Sequence, residues 1–246
     1  MHILGVIPAR YQSTRLEGKV LADILGKPMI QHVYEKACRA RCLDEVVVAT
    51  DDERVMTAVR KFGGKAAMTS ASHQSGGDRA AEVAAGSKAD VVVNIQGDEP
   101  MLDPLMIEEV VAPFQTGTDA GTVTIKKRVM EEEDFDDPNV VKVVTDQDGF
   151  ALYFSRSLIP YPQRQTQHFE VFEHLGLYAY TRKCLLQLTG LAQSKLEEIE
   201  SLEQLRALEN GIRILVVETR CEGEVLSVDI QADLDRVRSI LQETES

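Results

Sequence analysis

Three cations lie close together near the start of the chain. They are Arg10, Arg15 and Lys19, interleaved with Ser13 and Thr14 in Pro8-Ala9-Arg10-Tyr11-Gln12-Ser13-Thr14-Arg15-Leu16-Glu17-Gly18-Lys19. Guanidinium groups fork onto phosphate oxygens and an ammonium adds a point charge, so the group suits a polyphosphate. No Gly-x-x-x-x-Gly-Lys-Ser/Thr or Gly-x-Gly-x-x-Gly pattern accompanies it, so side chains and backbone N–H groups would hold the phosphates. The expected ligand is a nucleotide whose phosphates take part in the reaction. The competing reading is a solvated basic turn.

Two acids follow apolar runs elsewhere: Asp98 in Gln96-Gly97-Asp98-Glu99-Pro100, and Asp229 after Val225, Leu226 and Val228. Magnesium takes oxygen ligands, one or two carboxylates plus substrate phosphates, so a carboxylate at a strand tip is placed to hold one. Asp98 could instead cap the turn before Pro100. Sequence alone does not bring Asp98 and Asp229 together. His73-Gln74-Ser75-Gly76-Gly77-Asp78-Arg79 reads as a glycine-bearing turn before an Ala-rich helix. Ser75 and Arg79 could read a base there, or the segment is a flexible loop with Asp78 as a helix cap.

These residues need elements to position them. Residues 3–7, 45–50, 65–68 and 90–95 are short apolar runs that read as buried strands. A helix with Ile30, Val33 and Ala37 on one face follows Pro28, and a second starts from a Thr50–Glu53 capping box and stops at Gly63-Gly64. This βαβαβ rhythm predicts a parallel sheet with helices on both faces, and ligands of such sheets lie beyond the strands' carboxyl ends, where residues 10–19 fall. After Gly121 the rhythm changes: 122–126, 140–144 and 151–154 read as strands of an antiparallel section. A helix over 195–209 carries Ile199, Leu202 and Leu205, a strand follows at 212–217, and a helix over 232–241 ends the pattern. The fold class expected is α/β, one domain over 1–246 with a β-rich section around 121–190.

Composition narrows the function classes. The net charge of −13 disfavours nucleic acid as a partner, because phosphate backbones need a basic surface. No apolar run reaches the length of a membrane span and no charged-then-apolar leader opens the chain, so no membrane partner is expected. Cys38, Cys42, Cys184 and Cys221 form no zinc signature and are expected reduced, which points to the cytoplasm.

Read together, Pro8-Ala9-Arg10 with Ser13-Thr14-Arg15 and Lys19, Gly26-Lys27-Pro28-Met29-Ile30, Ala49-Thr50-Asp51, His73-Gln74-Ser75-Gly76, Asn94-Ile95-Gln96-Gly97-Asp98-Glu99-Pro100, Ala151-Leu152-Tyr153-Phe154-Ser155-Arg156 and Leu202-Glu203-Gln204-Leu205-Arg206 resemble the 3-deoxy-manno-octulosonate (Kdo) cytidylyltransferase family. The match runs in order over nearly the whole chain. The resemblance implies a Rossmann-like nucleotide-diphospho-sugar transferase fold and transfer of CMP from CTP to Kdo, giving CMP-Kdo and pyrophosphate for lipopolysaccharide biosynthesis. It implies Mg²⁺ as cofactor and a homodimer. By motif, Arg10, Ser13, Arg15 and Lys19 would bind the triphosphate, Ala9, Ser75, Arg79 and Gln96 the cytosine and ribose side, and Asp98 and Asp229 the metal. Arg10, Arg15, Lys19, Asp98 and Asp229 would be the catalytic set. Arg156, His174, Tyr178, Glu203 and Gln204 would line the sugar pocket, Arg156 forking onto the sugar's carboxylate. His174 and Tyr178 share a strand face by alternation, and Glu197, Glu200 and Gln204 line one helix side, with Glu203 toward it. Alternative readings are the same reaction on the 8-amino analogue of Kdo, or a catalytically silent nucleotide-binding regulatory protein. Glu17 and Val20 replace prolines usual in the family, Gly77 replaces a usual threonine, and Ile230-Gln231 replaces a usual Thr-Pro.

Overall fold

The computed structural model describes residues 1–13, 15–163 and 169–244; Thr14 of the basic loop falls outside them. The chain divides into two compact units, residues 1–108 with 221–246, and residues 109–220.

The first unit begins with β1 (Ile3–Pro8), a short hairpin of β2 (Asp23–Ile24) and β3 (Lys27–Pro28), and α1 (Met29–Ala37). It continues through β4 (Glu45–Thr50), α2 (Glu53–Lys61), β5 (Ala66–Met68), α3 (Gly76–Ala85), β6 (Val91–Asn94) and the start of α4 (Pro104–Thr116). β1 pairs in parallel with β4 on one side and β6 on the other, and β5 adds in parallel beyond β4. Val6, Ile7, Val48, Val92 and Val93 are fully buried. Their unbroken apolar runs belong to strands covered on both faces. Gly5↔Val93 and Val6↔Asn94 register sets the carboxyl ends of β1 and β6 side by side. The loop after β1 and the Gln96–Asp98 turn are thereby neighbours.

Two helix starts differ from expectation. Asp52, not Thr50, caps α2, accepting from the Arg54 N–H at 2.8 Å, while the Thr50 hydroxyl accepts from Asp52 N. One residue separates the strand end from the cap, and the carboxylate is the stronger acceptor for an N-terminal N–H. Gly76 and Gly77 form no turn ahead of α3. They lie inside its first turn, and Ser75 and Asp78 close a reciprocal capping box.

The second unit holds β7 (Thr122–Arg128), β8 (Lys142–Thr145), β9 (Ala151–Ser155), β10 (Phe172–Thr181), α5 (Arg182–Thr189), α6 (Lys195–Glu200), α7 (Gln204–Glu209) and β11 (Ile214–Glu218). β7 is paired antiparallel with β10 and parallel with β11, and β8–β9 is an antiparallel hairpin. Phe154, Leu205 and Ile214 anchor its core, with Leu202 beside them. The single helix expected over 195–209 is two short ones, because Ser201 adopts φ 53 and ends α6. Ile199, placed on the apolar side by periodicity, is 68% exposed. The break separates the two turns, so Leu202, Leu205 and Ala207 reach the core while Ile199 does not. The chain then ends in α8 (Gln231–Thr244), which belongs to the first unit.

Candidate active site

Lys19 is the centre of the charged cluster in the first unit. Its ammonium donates to Asp98 Oδ2 at 2.7 Å, Asp229 Oδ1 at 3.1 Å and the Val228 carbonyl at 2.9 Å. The Arg15 guanidinium reaches the same Asp229 oxygen at 2.9 Å. The two distant acids therefore do converge. The backbone explains how: Val228 N donates to Asp98 O at 2.9 Å, zipping the 228 segment onto the turn beyond β6. The replaced Thr-Pro turn is held by Asp233, whose carboxylate accepts from Asp229 N at 2.8 Å and Ile230 N at 2.9 Å. This is the acidic half of a capping box at the start of α8. Glu17, the added acid, is exposed.

Gly97 makes the close approach of β6's turn to β1 possible. A Cβ there would lie 2.5 Å from the Pro8 carbonyl oxygen. With no side chain between Gln96 and Asp98, both can face a groove of about 200 Å³ that Arg10, Lys19, Ser75, Arg79, Gln96 and Asp98 line. Ala9 is buried between Pro8 and Arg10 and does not line the groove; its N–H donates to Ala49 O at 2.8 Å. Ser13 is half-buried in the basic loop. Sequence reasoning did not assign His73, which also lines the groove; it was visible in the quoted motif, but no spacing marked it.

Two residues expected to read a base also carry structural bonds. Arg79, 4% exposed, donates to Thr69 Oγ1 at 2.9 Å, Ser70 O at 3.2 Å and Asp51 Oδ2 at 2.7 Å. A buried guanidinium needs such partners. Ser75 Oγ accepts from Asp78 N. Glu82, one turn beyond Arg79, accepts from Ser70 N at 2.9 Å and pairs with His73 Nε2 at 2.5 Å. Helix α3 thus pins residues 69–75 from both ends.

Chemically, the cluster offers carboxylate oxygens and a carbonyl oxygen around one cationic centre, with guanidinium groups beside it. That donor set fits a hard divalent ion such as Mg²⁺, which prefers oxygen ligands. The fit rests on Asp98 and Asp229 lying on one and the same ammonium.

The residues expected for the sugar lie in the second unit. Arg156 has its guanidinium on backbone carbonyls, with Nε to Glu200 O at 2.8 Å and Nη1 to Pro138 O at 2.7 Å. The Glu200 carboxylate accepts from Ser155 Oγ and Arg156 N. His174 and Tyr178 do meet, their ring centroids 5.3 Å apart. They meet across a bulge between Leu175 and Tyr178 rather than by simple alternation. The Thr124 hydroxyl lies 3.0 Å from His174 Nε2 and 2.8 Å from the Leu177 carbonyl oxygen. Burial lowers the His174 pKa from 6.5 to about 3, so the ring is neutral. Burial first, and the charge of Glu203 second, raise the Tyr178 phenol well above its usual range. Glu203 is exposed and Gln204 half-buried at the start of α7. Glu197 does not line a face with Glu200 and Gln204. It is 5% exposed and paired with Arg206 at 2.5 and 2.8 Å, tying α6 to α7 after the break.

Residues 4–214 match a family model described as cytidylyltransferase. A 3-deoxy-manno-octulosonate cytidylyltransferase of Geotalea daltonii is 51% identical, with 99% of each chain covered. One from Solibacter usitatus is 52% identical over 98% of this chain and 94% of its own. Among solved structures, a CMP:2-keto-3-deoxy-manno-octonic acid synthetase complexed with CTP superposes with a TM-score of 0.94 at 44% identity, covering 99% of this chain and 100% of that one. A 4-diphosphocytidyl-2C-methyl-D-erythritol synthase from Anaerococcus prevotii, at 12% identity and a TM-score of 0.62, shares the fold alone.

Proposed function

Since the chain belongs to the 3-deoxy-manno-octulosonate cytidylyltransferase family, we propose that it transfers CMP from CTP to Kdo and releases pyrophosphate. The observation that carries this reading is the convergence of Asp98 and Asp229 on Lys19, with Arg15 alongside, at the mouth of a groove lined by Arg10, Ser75 and Gln96. Phosphoryl transfer asks mainly for alignment and charge stabilisation, and cations next to paired acids provide both.

In the reaction the sugar's anomeric hydroxyl oxygen forms a bond to the α-phosphorus and gives up its proton to solvent, as the bond from that phosphorus to the α–β bridging oxygen breaks and pyrophosphate leaves. Arg10, Arg15 and Lys19 bind the triphosphate oxygens and take up charge on the departing pyrophosphate. Ser13 and backbone N–H groups complete the cradle. Ala9, Ser75, Arg79 and Gln96 hold the cytosine and ribose side. Asp98 and Asp229 would hold Mg²⁺, which when bound neutralises phosphate charge and polarises the α-phosphate. Arg156, His174, Tyr178, Glu203 and Gln204 contribute contacts to the acid sugar. The product serves lipopolysaccharide biosynthesis, and the enzyme works in the cytoplasm as a homodimer.

The test is pyrophosphate release from CTP by the purified protein. Release is expected only with the sugar and Mg²⁺ both present, and side-by-side assays of Kdo and its 8-amino analogue decide the sugar. Tight CTP binding with no turnover on either sugar would replace this reading by the silent nucleotide-binding one.

A further inference from the structure

We propose that Arg54 is a positioning residue for the basic loop, bracing Tyr11 against the start of α2 so that Arg10 and Lys19 are presented in fixed register. The proposal rests on the reading of residues 10–19 as the triphosphate loop. Between β1 and the short 3₁₀ turn Lys19–Leu21 the described residues of the loop form no regular element of their own. Gly18 N donates to Tyr11 O at 3.0 Å across the loop, and Lys19 N donates to Leu16 O at 3.2 Å inside it. Gly18 has φ +66, and a Cβ there would come 3.0 Å from Tyr11 Cζ and 3.1 Å from its hydroxyl oxygen. The Gly18 backbone therefore rests on the hydroxyl end of the Tyr11 ring, where a larger residue would not fit.

The face of that ring is covered by Arg54, whose Cζ stands 3.4 Å from the ring centroid. Arg54 is itself fixed: Nε and Nη2 fork onto Asp52 at 2.9 and 2.6 Å, and Asp52 is the N-cap of α2. A chain of contacts thus runs from the helix cap through Asp52 and Arg54 to Tyr11 and on to Gly18. The two residues it fixes are the immediate sequence neighbours of Arg10 and Lys19, the cations expected on the phosphates. Only a planar guanidinium can fork onto a carboxylate and stack on a ring at once. The hydrogen bonds to Asp52 are the main influence raising the Arg54 pKa, and the Glu17 carboxylate acts in the same sense. Glu17, the residue that departs from the family's proline, therefore lies within electrostatic reach of the brace.

The experiment compares Arg54→Ala, Arg54→Lys, Tyr11→Ala, Tyr11→Phe and the Arg54→Ala/Tyr11→Ala pair with wild type, after thermal melts identify the folded variants. With the sugar and Mg²⁺ saturating and CTP varied, each alanine variant should raise KM for CTP about tenfold and leave kcat within about twofold, since only loop placement is lost. Arg54→Lys should not rescue, whereas Tyr11→Phe should match wild type. The double variant should be no worse than either single, because both remove one brace. Amide exchange at Gly18 reads the loop directly and should accelerate in Arg54→Ala without any nucleotide. An unchanged KM with Gly18 still protected, or fully additive losses in the pair, overturns the proposal. If wild type fails to turn over but Gly18 loses protection in Arg54→Ala, the brace stands and the reading of the loop's ligand falls.

Discussion

Lys19 donates to both Asp98 and Asp229, which fixes what removing either acid should do. Asp98→Ala or Asp229→Ala leaves the ammonium with one carboxylate and the Val228 carbonyl, so the fold should persist. Turnover should drop by about 10²–10³, the usual scale for losing one preorganised charge contact; activity within tenfold of wild type in the pyrophosphate assay would remove the metal role from that acid. His174 gives a pH prediction with a definite sign. Its native pKa of about 3 lies below the ordinary 6.5, so between those values the unfolded chain binds a proton that the native one refuses. Above pH 6.5 the residue adds no pH dependence. Below it, stability falls by about 1.4 kcal/mol per pH unit. Urea unfolding at pH 7 and pH 5 should therefore differ by roughly 2 kcal/mol from this residue, and His174→Gln should lose that part of the slope. An imidazole seen by NMR to titrate near 6.5 would refute the burial argument. Asp98 was legible as a carboxylate close behind the buried β6 and Lys19 as one of three neighbouring cations, whereas Asp229 lies in no strand and only the short apolar stretch before it and the family resemblance marked it. The extra loads on Arg79 and Arg156 were not, since a guanidinium's partners come from segments far away in sequence.

At the level of elements, the strands of the first unit were legible from their apolar runs, whose ends the structure moves by a residue or two. Caps and breaks were less so. Thr50 and Asp52 both have capping chemistry, and the structure gives the cap to Asp52, which accepts from Arg54 N, while Thr50 accepts from Asp52 N. The break at Ser201 leaves no Gly or Pro in the sequence to announce it, because tertiary burial of Leu202 and Leu205 and the Glu197–Arg206 pair hold the turn. The α8 cap carries a consequence for the site. Asp233→Ala removes the acceptor for Asp229 N and Ile230 N, which should cost about 1 kcal/mol in stability. It should cost turnover more than that, since Asp229 loses its fixed direction, and Asp233→Glu, the usual capping-box acid, should restore most of it. Equal activity of the alanine variant and wild type would show that Asp229 orients without the cap. Gly97→Ala tests the other strand tip. Its Cβ would meet a backbone oxygen at 2.5 Å, so the turn carrying Gln96 and Asp98 must move. A stability loss of about 1–3 kcal/mol with a disproportionate rise in KM for CTP is expected.

For the molecule as a whole, a net charge of −13 repels a polyanionic nucleotide, so the local cations must act against the general field. That balance was visible in composition. The pairings that make it work were not, since the contacts Lys19–Asp98 and Lys19–Asp229 span 79 and 210 residues. The proposed homodimer is a prediction at this scale. Met130, Leu152, Tyr161 and Ile199, all in the second unit, are 75, 62, 78 and 68% exposed. Single exposed apolar side chains are normal; those of the first unit, Met1, Leu25, Met68 and Ile230, are 40–59% exposed, so the second unit's four stand out by their degree of exposure and not by their number. Among the described residues β9, which carries Leu152, pairs with β8 alone, and an open strand edge in a native protein is ordinarily covered or blunted. A second copy would cover both, burying on the order of 1,200–2,000 Å² if the interface is of standard size. Sedimentation equilibrium should then give twice the chain mass of 27.3 kDa. Leu152→Asp places a charge on this exposed face, so it should shift the mass toward one chain while leaving the far-ultraviolet spectrum unchanged. A wild-type protein that sediments as one chain at micromolar concentration, or a Leu152→Asp variant that remains fully dimeric, would move the interface away from β9.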